Sequence, residues 1–157
     1  MSEEQGPTHA EESGTMRHDE LIAKVRERAE LPDRSSAERA TRAVLSTLAE
    51  RIPDGLADHL AAQLPAQLAE SVRERVSSPA GSDERRGSGE RFDLTAFAGR
   101  VAWRAGVPED AALREAVAVF EVLDAAVAPE EMEKLARVLP TDIRTLLPVA
   151  RADITET

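Results

Sequence analysis

A chain of 157 residues, 41% hydrophobic and 32% charged, has the size of one domain or two very small ones and can both fill a core and stay in solution. Thirty acidic against 20 basic side chains leave a formal net charge of −10, the wrong sign for a protein that displaces counterions from nucleic acid. With no cysteine there is no disulfide, thiolate metal site or thiol nucleophile, and with no long apolar run and no signal peptide a soluble, cytoplasmic protein that avoids membranes is expected.

Residues 1–15 carry four Glu, two Gly and one Pro without a large aliphatic side chain. They cannot bury enough surface to offset ordering and read as a disordered tail, with Met16 an alternative start. The first predicted helix covers about 19–30, with Leu21, Val25 and Ala29 at i, i+4 and i+8 and Pro32 beyond its end. A second follows a loop in which Ser35 and Glu38 match a capping box; its stripe is Val44, Leu45, Leu48 and Ile52. A third starts near Asp54 and runs to Leu64-Pro65, where proline forces a kink or restart, and a short fourth carries Leu68, Val72 and Val76.

Residues 77–91, SSPAGSDERRGSGER, lack an apolar period and read as a flexible linker. The same order then returns. A helix over about 94–105 holds Phe97, Val101 and Ala105 and is closed by Pro108. The next opens on acidic Glu109-Asp110, suited to the positive end of a helix, and carries Phe120, Leu123 and Val127. A third runs from Pro129-Glu130-Glu131 to Leu139-Pro140, a short fourth holds Ile143, Leu146 and Leu147, and residues 151–157 form a C-terminal tail. No strand pattern survives.

The two blocks read as copies. At an offset of 76, Leu21, Val25, Arg28, Ala29, Leu31 and Pro32 meet Phe97, Val101, Arg104, Ala105, Val107 and Pro108. One residue later drops out, and at an offset of 75 Arg39, Val44, Leu45, Leu48, Ile52, Leu60, Leu64, Pro65 and Leu68 meet Arg114, Val119, Phe120, Leu123, Val127, Leu135, Leu139, Pro140 and Ile143. The expected fold class is all-α: two tandem copies of a four-helix repeat, residues 16–76 and 92–150, packed into one helical bundle. Each copy of about 55–60 residues is marginal alone, which favours a shared core with a pseudo-twofold relation.

Residues 44–68 (VLSTLAERIPDGLADHLAAQLPAQL) and 118–148 (AVFEVLDAAVAPEEMEKLARVLPTDIRTLLP) share a Val-Leu/Phe-x-x-Leu helix, a Pro/Asp turn, an acidic amphipathic helix and a Leu-Pro step. In this pattern the chain resembles, over about 18–148, a bacterial family catalogued as domain of unknown function 2267. Copy one departs at its turn, Pro53-Asp54-Gly55, where copy two has Ala128-Pro129-Glu130. The resemblance implies the helical fold and brings no catalytic residues. With 18 Arg to 2 Lys and abundant Ala, the basic composition suggests a GC-rich bacterial genome.

No catalytic, cofactor-binding or metal-binding constellation emerges. His9 lies in the tail and His18 at a helix start; His59 stands beside Asp58, with Lys134 as its counterpart in copy two, and reads as exposed. Gly6, Thr15 and Leu56 occupy the third position before each histidine, so the Glu-x-x-His motif of di-iron bundles is missing, as is zinc-ligand spacing. Ser35, Ser36, Ser46 and Ser71 sit in helix or cap contexts without a nucleophile elbow, and Gly81, Gly87 and Gly89 lack the strand and Lys-Ser/Thr of a phosphate loop. A helix-turn-helix reading fails because the would-be recognition helices carry Glu130, Glu131 and Glu133, or Asp54 and Asp58, against the phosphates.

Two features remain. A basic pair one turn apart recurs on the first helix of each copy, Lys24/Arg28 and Arg100/Arg104. Ion pairing with nearby acids such as Glu20, Glu27 or Asp33 is the first reading, and a symmetric anion or partner site the other. Trp103, the sole tryptophan, falls opposite the Phe97/Val101 stripe and replaces Glu27 of copy one. Packing within the molecule, against the linker or the other copy, is its first reading; a partner or self-association surface is the second. The expected function is therefore a non-enzymatic protein–protein interaction or self-association module, with an unknown protein or a second copy as partner. The alternative is a small-ligand protein or enzyme using a polar cleft between the copies.

Overall fold

The computed structural model describes residues 17–77 and 93–148, and within them lie eight helices and no strand. They are α1 (His18–Ala29), α2 (Arg34–Arg51), α3 (Asp54–Ala62), α4 (Ala66–Ser77), α5 (Leu94–Ala105), α6 (Glu109–Ala126), α7 (Pro129–Val138) and α8 (Thr141–Arg144). The expectations for the tail at 1–15, for Met16, for the linker beyond Ser77 and for residues 151–157 fall outside the described residues. Ser77 itself closes α4.

Local chemistry fixes the helix ends. Asp33 caps α2, its side chain accepting the Ser36 backbone N–H at 2.8 Å, so the capping residue is not Ser35 as the capping-box pattern predicts. Asp93 caps α5 in the same way through the N–H of Ala96. α6 opens after Pro108 with Glu109 and Asp110 in its first turn, and α7 opens with Pro129, Glu130 and Glu131. α1 and α5 both end on a left-handed residue, Glu30 (φ 57°) and Gly106 (φ 73°). The Leu-Pro steps break α3 from α4 and α7 from α8. The fourth elements then differ: α4 has 12 residues and α8 only 4, with Leu146 and Leu147 buried beyond its end in turns rather than on a helix.

The two 18-residue helices, α2 and α6, touch at the centre of the bundle. α1 and α5 each pack both on the long helix that follows and on the other long helix: α1 on α2 and α6, α5 on α6 and α2. α4 lies on α2 and α3, and α3 meets α7. One continuous hydrophobic cluster results, with Leu21, Leu45, Leu48, Phe97, Phe120, Leu123 and Leu135 wholly enclosed. Phe97 and Phe120 stack with centroids 6.3 Å apart. The two buried threonines are locally satisfied: the hydroxyls of Thr41 and Thr47 donate to the carbonyls of Ala37 and Ala43 at 2.8 Å.

Candidate functional site

Three of the four cations of the basic pairs, Arg28, Arg100 and Arg104, reach acids on the long helices that are distant in sequence. Arg100 and Arg104, one turn apart on α5, close on Glu50 of α2: Arg100 Nη1 donates to Oε1 at 2.9 Å and Arg104 Nη2 to Oε2 at 2.7 Å. Arg104 Nη1 also donates to the Thr47 hydroxyl at 2.9 Å, so that hydroxyl both accepts from α5 and donates to its own helix. Glu50 is 11% exposed. Burial pulls its carboxyl upward, but hydrogen bonds and charge from Arg104 and Arg100 outweigh this and hold it below the usual glutamate range.

On the opposite face Arg28 Nη1 donates to Glu121 of α6 at 3.1 Å, with both side chains half exposed. Lys24 has no hydrogen-bond or ion-pair partner among the described residues. None of the neighbours expected from sequence, Glu20, Glu27 or Asp33, pairs with these cations. Asp33 spends its carboxylate on the α2 cap, where the Ser36 hydrogen bonds keep its pKa low. A cleft of 340 Å³ between α1 and α6, bordered by Arg28, Glu30, Arg114 and Glu121, is the described feature nearest to a polar inter-copy cleft. In it Arg28 and Glu121 neutralise each other.

Trp103 is 85% exposed, so its ring is not packed within the described molecule. It borders a shallow hollow with Gly99, Ala102, Gly106, Val107 and Pro108, all small or apolar. The helical wheel places the side chain off the core stripe correctly; it does not pack on the other described helices, and packing against the linker falls outside the described residues. Its position on the outer face of α5 results from Phe97 and Val101 occupying the inner face.

His18 is more enclosed than a helix-start position suggests. Its side chain is 13% exposed, with Nδ1 3.5 Å from the Arg34 guanidinium and Nε2 3.7 Å from the Glu38 carboxylate. Asp19 pairs with Arg34, and Glu38 with Arg42, around it. The opposite charges at the heads of α1 and α2 were the available signal. His59 is exposed, as is Lys134. Glu115 of α6, not singled out by any motif, is buried with no hydrogen-bond partner for Oε1 among the described residues. Burial raises its pKa, and Arg114 and Arg39 only partly offset the effect. Among the described residues no group of three or more His, Cys, Asp or Glu is placed to hold a metal ion, and no helix is long and apolar enough to cross a membrane.

The profile of the family described as uncharacterized conserved protein (DUF2267) matches residues 18–146. The chain belongs to this family. The DUF2267 region takes in all eight described helices, so Lys24, Arg28, Arg100, Trp103 and Arg104 all lie inside it. The description of DUF2267 names no activity, and no residue role passes to this chain from it. No curated protein matches the chain.

Proposed function

We propose that this member of DUF2267 is a duplicated, non-enzymatic helical module that works by protein–protein interaction or self-association through the outer face of α5. Support for duplication comes from equal helix lengths, 12 and 18 residues for α1 and α2 and again for α5 and α6, at the offsets of the sequence alignment. Mutual packing supports it too, since α1 lies on α6 as α5 lies on α2. The single observation that carries the interaction reading is Trp103, a large aromatic side chain held 85% in solvent beside an apolar hollow. Aromatic anchors of this kind dominate interface energetics when a partner covers them. The competing cleft reading gains nothing from Arg28 and Glu121, which already satisfy each other.

Sedimentation velocity over a concentration series, on the full chain and on Trp103→Glu, tests this. Trp103→Glu restores the residue type of Glu27 and should leave stability within about 0.5 kcal/mol, as surface changes do. It should also abolish association with a second copy or with a captured partner. In a dilute monomer the indole emission should be red-shifted and easily quenched, turning blue on association. A blue, protected emission independent of concentration, or a loss of several kcal/mol on substitution, would overturn the reading.

A further inference from the structure

We propose that the hollow beside Trp103 receives an arginine side chain from a basic segment of a partner protein, with the Glu109 carboxylate as its counter-charge. This rests on the α5 interaction reading above and names the chemistry of its partner. Trp103 and Gly99 stand one turn apart on the outer face of α5, and the indole is 85% exposed. The head of α6 brings a carboxylate to the same place: Glu109 Oε2 lies 3.6 Å from where a Cβ on Gly99 would stand. That carboxylate has no hydrogen-bond or ion-pair partner among the described residues. Arg100 and Arg104, the cations on α5 itself, are turned to Glu50 on α2. An aromatic face, an unpaired carboxylate and an apolar floor of Ala102, Val107 and Pro108 thus meet at one hollow.

Each part suits a guanidinium. It is planar and weakly hydrated, so it stacks on an indole while donating to a carboxylate, and its methylene stem covers a small apolar floor. A compact, strongly hydrated ammonium gains less from the ring. The net charge of −10 favours a basic partner over a second molecule of this chain. Given the helix correspondence proposed above, the first copy lacks both the ring and the free carboxylate. Gly99, Ala102, Trp103 and Gly106 take the places of Ala23, Arg26, Glu27 and Glu30, which border a charged hollow on α1. Glu109 takes the place of Arg34, which pairs with Asp19, and Thr95 stands at the position of Asp19. The ion pair that closes the first copy is therefore replaced in the second by an acid without a local cation.

Titration of the full chain at low salt with hexa-arginine, hexalysine and an uncharged hexaglutamine control tests the assignment, read by indole emission and backbone amide NMR. Trp103 is the only tryptophan, so the emission reports this hollow alone. Hexa-arginine should protect the emission from acrylamide and shift the amides of Gly99, Trp103 and Glu109, at about threefold lower concentration than hexalysine. Glu109→Gln should weaken it about fivefold, whereas Glu27→Gln, which removes the same charge from the α1 face, should change it by less than about twofold. No protection by hexa-arginine, equal potency of hexalysine, or equal weakening by both variants would overturn the assignment. Protection that grows with protein concentration before any peptide is added would make a second molecule of the chain the occupant and overturn the basic-partner assignment, while keeping the α5 face as the interface. Glu109→Gln leaves the ring in place, so its failure is distinct from failure of the α5 reading, which shows as association indifferent to Trp103→Glu.

Discussion

Glu50 and Glu115 are both glutamates enclosed on the long helices, and their surroundings send them in opposite directions. Glu50 meets two guanidiniums and is held ionised; Glu115 is buried with one oxygen unpartnered, at a position where the first copy has Ala40. Glu50→Ala should therefore destabilise by about 2–3 kcal/mol, because it strands two partly buried arginines. Glu50 contributes stability above the ordinary glutamate range, near 4.3, and loses it as pH falls through its depressed folded value. Glu115→Ala should stabilise by about 1–2 kcal/mol at neutral pH, by removing a poorly satisfied buried carboxylate. In the native chain the raised pKa of Glu115 favours the folded state at low pH, and this advantage disappears as pH rises through the folded value. The gain from Glu115→Ala should thus shrink as pH falls from that raised folded value to the ordinary glutamate range, near 4.3, while the loss from Glu50→Ala shrinks only below that range. Urea denaturation of the two variants at pH 7 and pH 3.5 checks both signs.

At the scale of elements, the ends of α1 and α5 offer a matched comparison. Both chains turn through the left-handed region, but one does so with Glu30 and the other with Gly106. Glu30→Gly should stabilise by up to about 1 kcal/mol, the relief of the left-handed conformation exceeding the added entropy of the unfolded chain. Gly106→Ala should destabilise by about 1 kcal/mol even though an added Cβ would meet no atom within 4 Å, since the cost is conformational. Thermal denaturation of the pair separates backbone strain from packing. These elements were legible in sequence because their determinants are local: apolar spacing, prolines after the first helices and at the Leu-Pro steps, acids at helix heads. The cap of α2 was misread by two positions because Asp33 and Ser35 both stand at the loop end, and only backbone geometry decides which side chain meets the N–H of Ser36. The one-turn length of α8 was not legible either, since apolar spacing alone does not set helix length. For the site, the repeated basic pair was visible, but its partners were not. Glu50 lies 50 residues from Arg100 and Glu121 lies 93 from Arg28, so only the packing of α5 on α2 and α1 on α6 brings them together.

Across the whole molecule, the first helix of each half contributes to the core of the other, and several polar ties follow the same route. Besides the Glu50 cluster, the side chain of Gln63 at the end of α3 accepts the Ala128 N–H at the head of α7, at 2.7 Å. Residues 17–77 and 93–148 prepared as separate peptides should each be poorly folded, and mixing them should restore helicity and cooperative unfolding. Circular dichroism of the peptides alone and together checks this; full cooperative folding of either one alone would contradict it. The covalent joint between the halves acts thermodynamically as a concentration. It replaces a bimolecular association by an intramolecular one whose strength reflects the millimolar effective concentration typical of short connections. A second chain can offer the same surfaces, so the α1–α4 half of one molecule can close with the α5–α8 half of another, burying the same side chains in a reciprocal, domain-swapped dimer. Protein concentration measured against that effective concentration then sets which closure prevails. Shortening the joint until it no longer spans the two halves would make that exchanged pair obligatory without altering a single core residue.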